Sequence, residues 1–306
     1  MAASPPPAAP GKAITFVRRT SSTLFLWAVV CGVFASSSSW AFLGLLGLLT
    51  VIAAFEYFRM LRAAGVGGFP RFGLMLVVAY CAGLYACLLG GHAPPYWLEP
   101  LAVFVAVAGS FTMQLREPVR GVESLLAVAA TVLGFVYTAI LFNFAAHLLF
   151  LVPGGFDVPG KVGAPGAFLL LWLLAVTKFT DMGAYITGSA IGRHKMIPHI
   201  SPAKTWEGFA GALFFAQLAG CGLYAWFPEQ LAFFASWGHV ITLGFLLAVL
   251  AVIGDLAESV VKRALNAKDS GRILPGIGGS LDLIDSVCFT APALYFYLKW
   301  FLLPAA

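Results

Sequence analysis

Charged residues are scarce in this chain. Only 10% of its 306 residues are Asp, Glu, Lys or Arg, whereas about a quarter are charged in an average soluble domain. Hydrophobic residues make up 60%, and the mean hydropathy is +0.92. This composition excludes an ordinary soluble domain. Several apolar runs reach roughly the 20 residues that cross a bilayer, and they lack the alternation typical of barrel strands. The sequence therefore predicts an all-α, polytopic transmembrane protein.

Cysteine motifs are also missing. The chain has five cysteines, scattered through apolar runs without a CxxC or a Cys/His ligand pattern: Cys31, Cys81, Cys87, Cys221 and Cys288. Buried thiols are therefore expected rather than zinc ligands or disulfides. No repeat of fixed period is apparent. The formal net charge of +5 indicates membrane orientation in such a chain, so no binding to nucleic acid is expected.

The apolar runs predict about nine membrane spans. A tail at 1–21, rich in proline and alanine, is predicted to be disordered. The first apolar run follows a pair of arginines and resembles a cleaved signal peptide. A second run begins near Trp40 after a short serine turn, which favours a retained pair of spans. The predicted spans lie near 22–37, 40–58, 73–91, 98–114, 122–143, 166–188, 207–227, 236–256 and 286–303.

The distribution of Lys and Arg predicts the orientation, because cytoplasmic loops carry an excess of these residues. With nine spans and a cytoplasmic N-terminus, only Lys161 lies in an outer loop, while Lys178 and Lys299 fall within spans. The C-terminus then lies on the outer side. The inner side collects fifteen residues: Lys12, Arg18, Arg19, Arg59, Arg62, Arg71, Arg116, Arg120, Arg193, Lys195, Lys204, Lys262, Arg263, Lys268 and Arg272.

Charge is concentrated at 254–285, where 32 residues hold five acids and four bases. Asp255, Glu258, Ser259 and Lys262 share one face of a predicted helix. Asp255 lies at the edge of an apolar run, and an ionisable residue there is a candidate for function. The alternative is a self-satisfied network that anchors the end of the helix.

A glycine-rich loop follows this helix. Four glycines, Gly271, Gly276, Gly278 and Gly279, allow backbone amides to approach an anion closely. Asp282 and Asp285, three residues apart, offer hard oxygen ligands of the kind that suit Mg²⁺ beside a phosphate. The alternative is a polar loop before a helix whose acidic start offsets the helix dipole.

A second polar cluster runs from Thr177 to Gly208. Lys178, Asp181 and Tyr185 share one face of an apolar helix. The loop after it carries cations that could meet a polyphosphate: Arg193, His194, Lys195, His199 and Lys204. Ordinary positive-inside flanking and structural histidines are the alternatives. The acids at span ends, Glu56, Glu99, Glu117 and Glu123, are interpreted as anchors.

Three blocks in register resemble the membrane-bound phosphatidate cytidylyltransferases, or CDP-diacylglycerol synthases. The resemblance covers roughly 166–303, and the region before it matches only in hydropathy. The matching blocks are DxGAYxxG at Asp181–Gly188, SPxKTWEG at Ser201–Gly208, and a C-terminal signature with Gly254-Asp255-Leu256, Glu258-Ser259, Lys262-Arg263, Lys268-Asp269, Pro275-Gly276, Gly278-Gly279, Asp282 and Asp285.

The resemblance implies that CTP condenses with phosphatidic acid to give CDP-diacylglycerol and pyrophosphate. It also implies an N-terminal membrane region at 22–165 and a catalytic one at 166–306. The implied Mg²⁺ ligands are Asp255, Asp282 and Asp285, with Lys262 and Arg263 completing the catalytic set; a monovalent cation is left open. The implied substrate-binding residues are Asp181, Ser201, Lys204, Thr205, Glu258, Ser259, Lys268, Asp269, Gly278 and Gly279.

A bacterial inner-membrane enzyme in contact with membrane lipids is expected, and the distribution of Lys and Arg predicts that its site faces the cytoplasm; a homodimer is left open by the resemblance. The sequence departs from the family pattern at Ile277, Leu283 and Ala203, where histidine, arginine and lysine are usual. Two rival functions remain: a CTP-dependent kinase of a lipid alcohol, which would release CDP, and a transporter. A transporter is disfavoured because the polar residues gather on one side of the membrane.

Overall fold

The computed structural model describes residues 25, 28–152, 158–267, 269–271 and 278–303. Residues 28–36 are helical. The helices that follow are α1 (Ser39–Ala63), α2 (Pro70–Leu89), α3 (Leu98–Gln114), α4 (Val122–Phe135), α5 (Phe142–Leu151), α6 (Ala164–Ile191), α7 (Trp206–Trp226), α8 (Trp237–Ala264) and α9 (Ser280–Tyr297). Short π-helical segments at Val136–Leu141 and Leu298–Leu302 continue α4 into α5 and extend α9, and a 3₁₀ turn lies at Ala232–Phe234.

Among the described residues, seven helices are long and apolar enough to cross a membrane. They match seven of the predicted spans, and the fifth forms one continuous helix, Val122–Leu151. The predicted fourth span is α3, which is apolar but has only 17 residues. Part of the predicted first span lies outside the described residues. The multi-pass helical architecture is therefore confirmed, while the total of nine spans and the orientation stay predictions.

A β-hairpin interrupts the otherwise helical fold between α6 and α7. Strand β1 (Lys195–Ile197) pairs antiparallel with β2 (Ser201–Thr205). Thr205 ends β2 and caps α7, because its Oγ1 accepts a hydrogen bond from Gly208 N at 3.1 Å. The sequence predicted only a loop here. The hairpin satisfies the backbone groups of a short polar connection.

Glycines set how closely the C-terminal helices approach one another. On α6, a Cβ at Gly183 would lie 2.7 Å from the carbonyl oxygen of Gly211 on α7. On α8, a Cβ at Gly254 would lie 2.8 Å from the carbonyl oxygen of Asp285 on α9. Real Cβ atoms do not come so near to a backbone oxygen, so glycine is required at these contacts.

Helix α9 packs against helices from both ends of the chain, including α8, α5 and α1. The buried apolar side chains form one cluster that draws on both regions, with Trp172, Phe135 and Phe234 among its largest fully buried members. The polar start of α9 is consequently held between the two regions.

Candidate active site

Three carboxylates from α8 and α9 converge. Asp255 and Glu258 lie one turn apart on α8, and Asp285 lies in the second turn of α9. One carboxylate oxygen from each residue lies within 4.8 Å of the other two. Glu258 and Asp285 are only 1% and 4% exposed. The absence of a side chain at Gly254 allows this approach, because a Cβ there would collide with the Asp285 backbone.

Lys262 lies between this carboxylate cluster and Asp282. Its Nζ is 2.5 Å from Glu258 Oε2 and 2.9 Å from Asp282 Oδ1. The other oxygen of Asp282 accepts a hydrogen bond from Gly279 N at 2.9 Å. Asp282 is therefore held by Lys262 and by the start of its own helix. Among the described residues, Glu258 joins Asp255 and Asp285 in the place that the sequence had suggested for Asp282.

The β-hairpin brings a second lysine to the cluster. Lys204 Nζ lies 2.6 Å from Asp255 Oδ2 and donates a hydrogen bond to the carbonyl oxygen of Val252 at 3.2 Å. The Lys204 side chain is only 19% exposed. The sequence block that precedes α7 and the signature on α8 are thus joined by an ion pair.

Helix α6 supplies a third lysine. Lys178 Nζ donates a hydrogen bond to the carbonyl oxygen of Leu283 on α9 at 3.1 Å and lies 3.5 Å from Asp181 Oδ2. The Leu283 side chain packs against the apolar core. The hairpin therefore contacts a carboxylate of α8 through Lys204, and α6 contacts the first turn of α9 through Lys178.

The remaining predicted site residues occupy varied positions. Ser259 is partly buried beside Glu258, whereas Arg263 and Asp269 are exposed. Ser201 opens β2, and the Thr205 hydroxyl is already engaged at the α7 cap. Lys268 and Ile277 lie outside the described residues. The nucleotide-binding roles assigned to these residues stay predictions.

The donor set suits a divalent cation. Asp255, Glu258 and Asp285 offer hard oxygen ligands, the kind that Mg²⁺ prefers. Glu258 Oε1 is buried and accepts no hydrogen bond from the described part of the chain. A buried carboxylate oxygen without a partner is costly unless a cation meets it. With Asp282 the site holds four carboxylates, three of which contact two lysines, Lys204 and Lys262, and this leaves an excess of negative charge.

Comparison with known sequences identifies the family. The model of the cytidylyltransferase family matches residues 17–301, almost the whole chain. This protein belongs to the cytidylyltransferase family. The chain is therefore a nucleotidyltransferase and a multi-pass membrane protein. The match also includes the N-terminal region, where the sequence showed no family block and resembled the family only in hydropathy.

Several relatives of this cytidylyltransferase are known. A phosphatidate cytidylyltransferase of Mycobacterium bovis is 31% identical over 276 residues, which is 83% of this chain and 79% of the relative. One of Brucella suis is 45% identical over 132 residues, 43% of this chain and 47% of the relative. The uncharacterized protein YnbB of Escherichia coli is 31% identical over 233 residues, 71% of this chain and 74% of the relative. The match to the Brucella protein thus spans about half of that protein's length.

Two residues of the N-terminal region contact helix α9 of this cytidylyltransferase, and sequence reasoning missed both contacts. Glu56 of α1 is fully buried and accepts a hydrogen bond from Leu281 N, whereas the sequence suggested an anchor at a span end. Tyr137 lies in the π-helical segment, and its buried hydroxyl has no hydrogen-bond partner among the described residues. Its ring packs edge-on against Phe289 of α9. Irregular helix turns often mark functional sites, but no sequence signal indicated this one.

Proposed function

We propose that this cytidylyltransferase condenses CTP with phosphatidic acid, giving CDP-diacylglycerol and pyrophosphate. A phosphate oxygen of the lipid would form a bond to the α-phosphorus of CTP, while the bond from that phosphorus to the bridging oxygen of pyrophosphate breaks. The observation that carries the proposal is the convergence of Asp255, Glu258 and Asp285 beside Lys204 and Lys262. Relatives named phosphatidate cytidylyltransferase support the choice of substrates.

The reaction joins two anions, so the site must offset their mutual repulsion and the charge that develops in the transition state. Lys262 and Lys204, held in place by their carboxylate partners, would also contact the phosphates of CTP or of the lipid. Arg263 is exposed one residue after Lys262 and would contact the same phosphates. The lipid phosphate is already ionised near neutral pH, so no side chain need act as a general base.

Mg²⁺ bound by Asp255, Asp285 and Glu258 would supply a Lewis acid and a template for the triphosphate. Asp282 would act beside it by fixing Lys262. This assignment moves Glu258 into the ligand set and gives Asp282 an indirect part. Gly254 supports this ligand set, because it lets α8 and α9 come close enough for their carboxylates to share one ion.

Acyl chains would remain in the bilayer while the lipid headgroup enters from the cytoplasmic leaflet. The excess of Lys and Arg in the loops of that side supports this orientation. The bacterial relatives support an inner-membrane location. The family resemblance also left open a homodimer and a role for a monovalent cation, and both stay proposals.

A product assay tests the function. Purified protein in detergent, given phosphatidic acid, CTP labelled in the cytosine and Mg²⁺, is expected to release pyrophosphate and to move the label into lipid. Release of labelled CDP would instead indicate phosphoryl transfer to a lipid alcohol, as the alternative kinase hypothesis predicts. Absence of turnover with phosphatidic acids of several chain lengths and with Mg²⁺ or Mn²⁺ would reject the proposal.

A further inference from the structure

We propose that Glu56, a buried glutamate of the N-terminal region, is a positioning residue for the catalytic carboxylates of α9. It would act by capping the helix that carries Asp282 and Asp285. The inference rests on the proposed function for its catalytic readout. Glu56 is not part of any signature block, and it lies 225 residues before its partner Leu281.

Helix α9 cannot cap itself with a side chain at its first position. The N-cap residue is Gly279, which has no side chain to accept a hydrogen bond from the free backbone amides of the first turn. Two carboxylates take over this task. Asp282 Oδ2 accepts from Gly279 N at 2.9 Å, and Glu56 Oε2 accepts from Leu281 N at 3.0 Å.

The glycines around α9 make room for Glu56. A Cβ at Gly279 would collide with Ser270 Oγ and lie 2.6 Å from Glu56 Oε2, and a Cβ at Gly271 would collide with Glu56 Oε1. Gly278 has φ +123°, a conformation that other residues rarely adopt. The approach of Glu56 therefore explains the glycine at 271, and Glu56 and Ser270 together explain the glycine at 279, without a phosphate bound there.

The same contact restricts where a phosphate can bind. The amides of Gly279 and Leu281 already donate to carboxylates, so neither amide is free to bind an anion. Phosphate binding would then fall to Lys204, Lys262 and other cations near the cluster.

Glu56 is connected to the catalytic carboxylates of α9 through a single residue, Leu281. Leu281 is adjacent to Asp282 and one helical turn before Asp285. Ser280 adds a second attachment to α1, because its Oγ donates to the carbonyl oxygen of Leu49 at 3.1 Å. The start of α9 is therefore fixed to α1 at two neighbouring residues, and a shift of that start would move Asp282 and Asp285 together.

The test compares Glu56→Ala with Glu56→Gln in the full-length protein. Glu56→Ala removes the acceptor and is expected to lower kcat about 100-fold, the loss that a misplacement of roughly 1 Å can cause. It is also expected to raise the Mg²⁺ concentration needed for half-maximal thermal stabilisation by about 10-fold, the lower end for loss of a group supporting metal ligands. Glu56→Gln keeps an oxygen for Leu281 N, so both quantities are expected to return to within about 5-fold of wild type.

Glu99→Ala is the matched control. Glu99 is a partly buried glutamate of α3 that pairs with His147 at 2.9 Å, far along the chain from the signature. Its loss is expected to lower thermal stability without changing the Mg²⁺ midpoint. The inference would be overturned if Glu56→Ala reduced only the folded fraction and left kcat per folded molecule and the Mg²⁺ midpoint unchanged. It would also fail if Glu56→Gln behaved like Glu56→Ala.

The two proposals fail in different ways. If wild type does not convert phosphatidic acid, the proposed function fails, but the Mg²⁺ stabilisation series still tests Glu56. If wild type is active and Glu56→Ala keeps its turnover and Mg²⁺ midpoint, only the further inference fails.

Discussion

At the residue scale, Lys262 separates two carboxylates that would otherwise repel each other. Its ammonium group contacts Glu258 on its own helix and Asp282 on α9. Lys262 neutralises part of the charge of both acids. Both oxygens of Asp282 have partners, Lys262 and Gly279 N, so this side chain needs no metal ion to be held in place. Glu258 still has a buried oxygen that accepts no hydrogen bond from the described residues. The two acids should therefore respond differently to substitution.

Glu258→Gln is expected to raise the Mg²⁺ concentration for half-maximal activity about 10- to 100-fold, because it replaces an anionic oxygen in the proposed ligand set. Asp282→Asn is expected to abolish turnover even at saturating Mg²⁺, since it frees Lys262 while leaving an oxygen that can still cap Gly279. Steady-state rates over a Mg²⁺ titration distinguish these effects. If Asp282→Asn instead shifted the Mg²⁺ midpoint as Glu258→Gln does, Asp282 would return to the ligand set.

At the scale of elements, close contacts between α6 and α7 hold the hairpin in place. Gly183 and Gly211 bring the two helix backbones together, and the hairpin that joins them carries Lys204 to Asp255. The short connection leaves little freedom, because its ends are fixed by the C-terminus of α6 and by the Thr205 cap of α7. Helix packing and the position of Lys204 are thus coupled.

Gly211→Ala is expected to lower stability by about 1 to 3 kcal/mol, the usual cost of overpacking. The new Cβ would meet the Gly183 carbonyl oxygen at 2.8 Å, and a backbone atom cannot rotate away. Gly222→Ala on the same helix is the control, because no heavy atom lies within 4 Å of its added Cβ. Thermal unfolding in detergent should show a lower midpoint for Gly211→Ala alone. Equal midpoints for the two variants would contradict the role given to this contact.

At the scale of the whole molecule, α9 joins the two regions of the chain. It contacts α8 through the carboxylate site and α1 through Glu56 and Ser280. The N-terminal region therefore contributes to the candidate site, because it fixes the start of α9, which carries Asp282 and Asp285. Orientation in the bilayer then decides which compartment supplies CTP.

Cysteine labelling tests this orientation. Lys161 and Lys195 are both exposed and lie on either side of α6. In a Cys31→Ser background, which removes the exposed native thiol, a membrane-impermeant maleimide added to spheroplasts is expected to label Lys161→Cys. Lys195→Cys should react only after permeabilisation. The reverse pattern would invert the orientation, and labelling of both from the same side would show that α6 does not cross.

The sequence by itself determined the membrane class, the family blocks and the chemical types in the site. Apolar run length and the spacing of Asp255, Glu258 and Lys262 on one helix face are local properties, so they can be read from the chain. The family resemblance then pointed to the C-terminal helices whose acids and lysines meet in the structure.

Only the tertiary structure decided which acids meet and what fixes them. Whether Glu258 or Asp282 joins Asp255 and Asp285 depends on the approach of α8 to α9 at Gly254 and on the path of the Lys262 side chain. The capping of α9 by Glu56 depends on a contact across 225 residues. Helical periodicity describes neighbours within a few turns, and no local pattern specifies such a distant hydrogen bond.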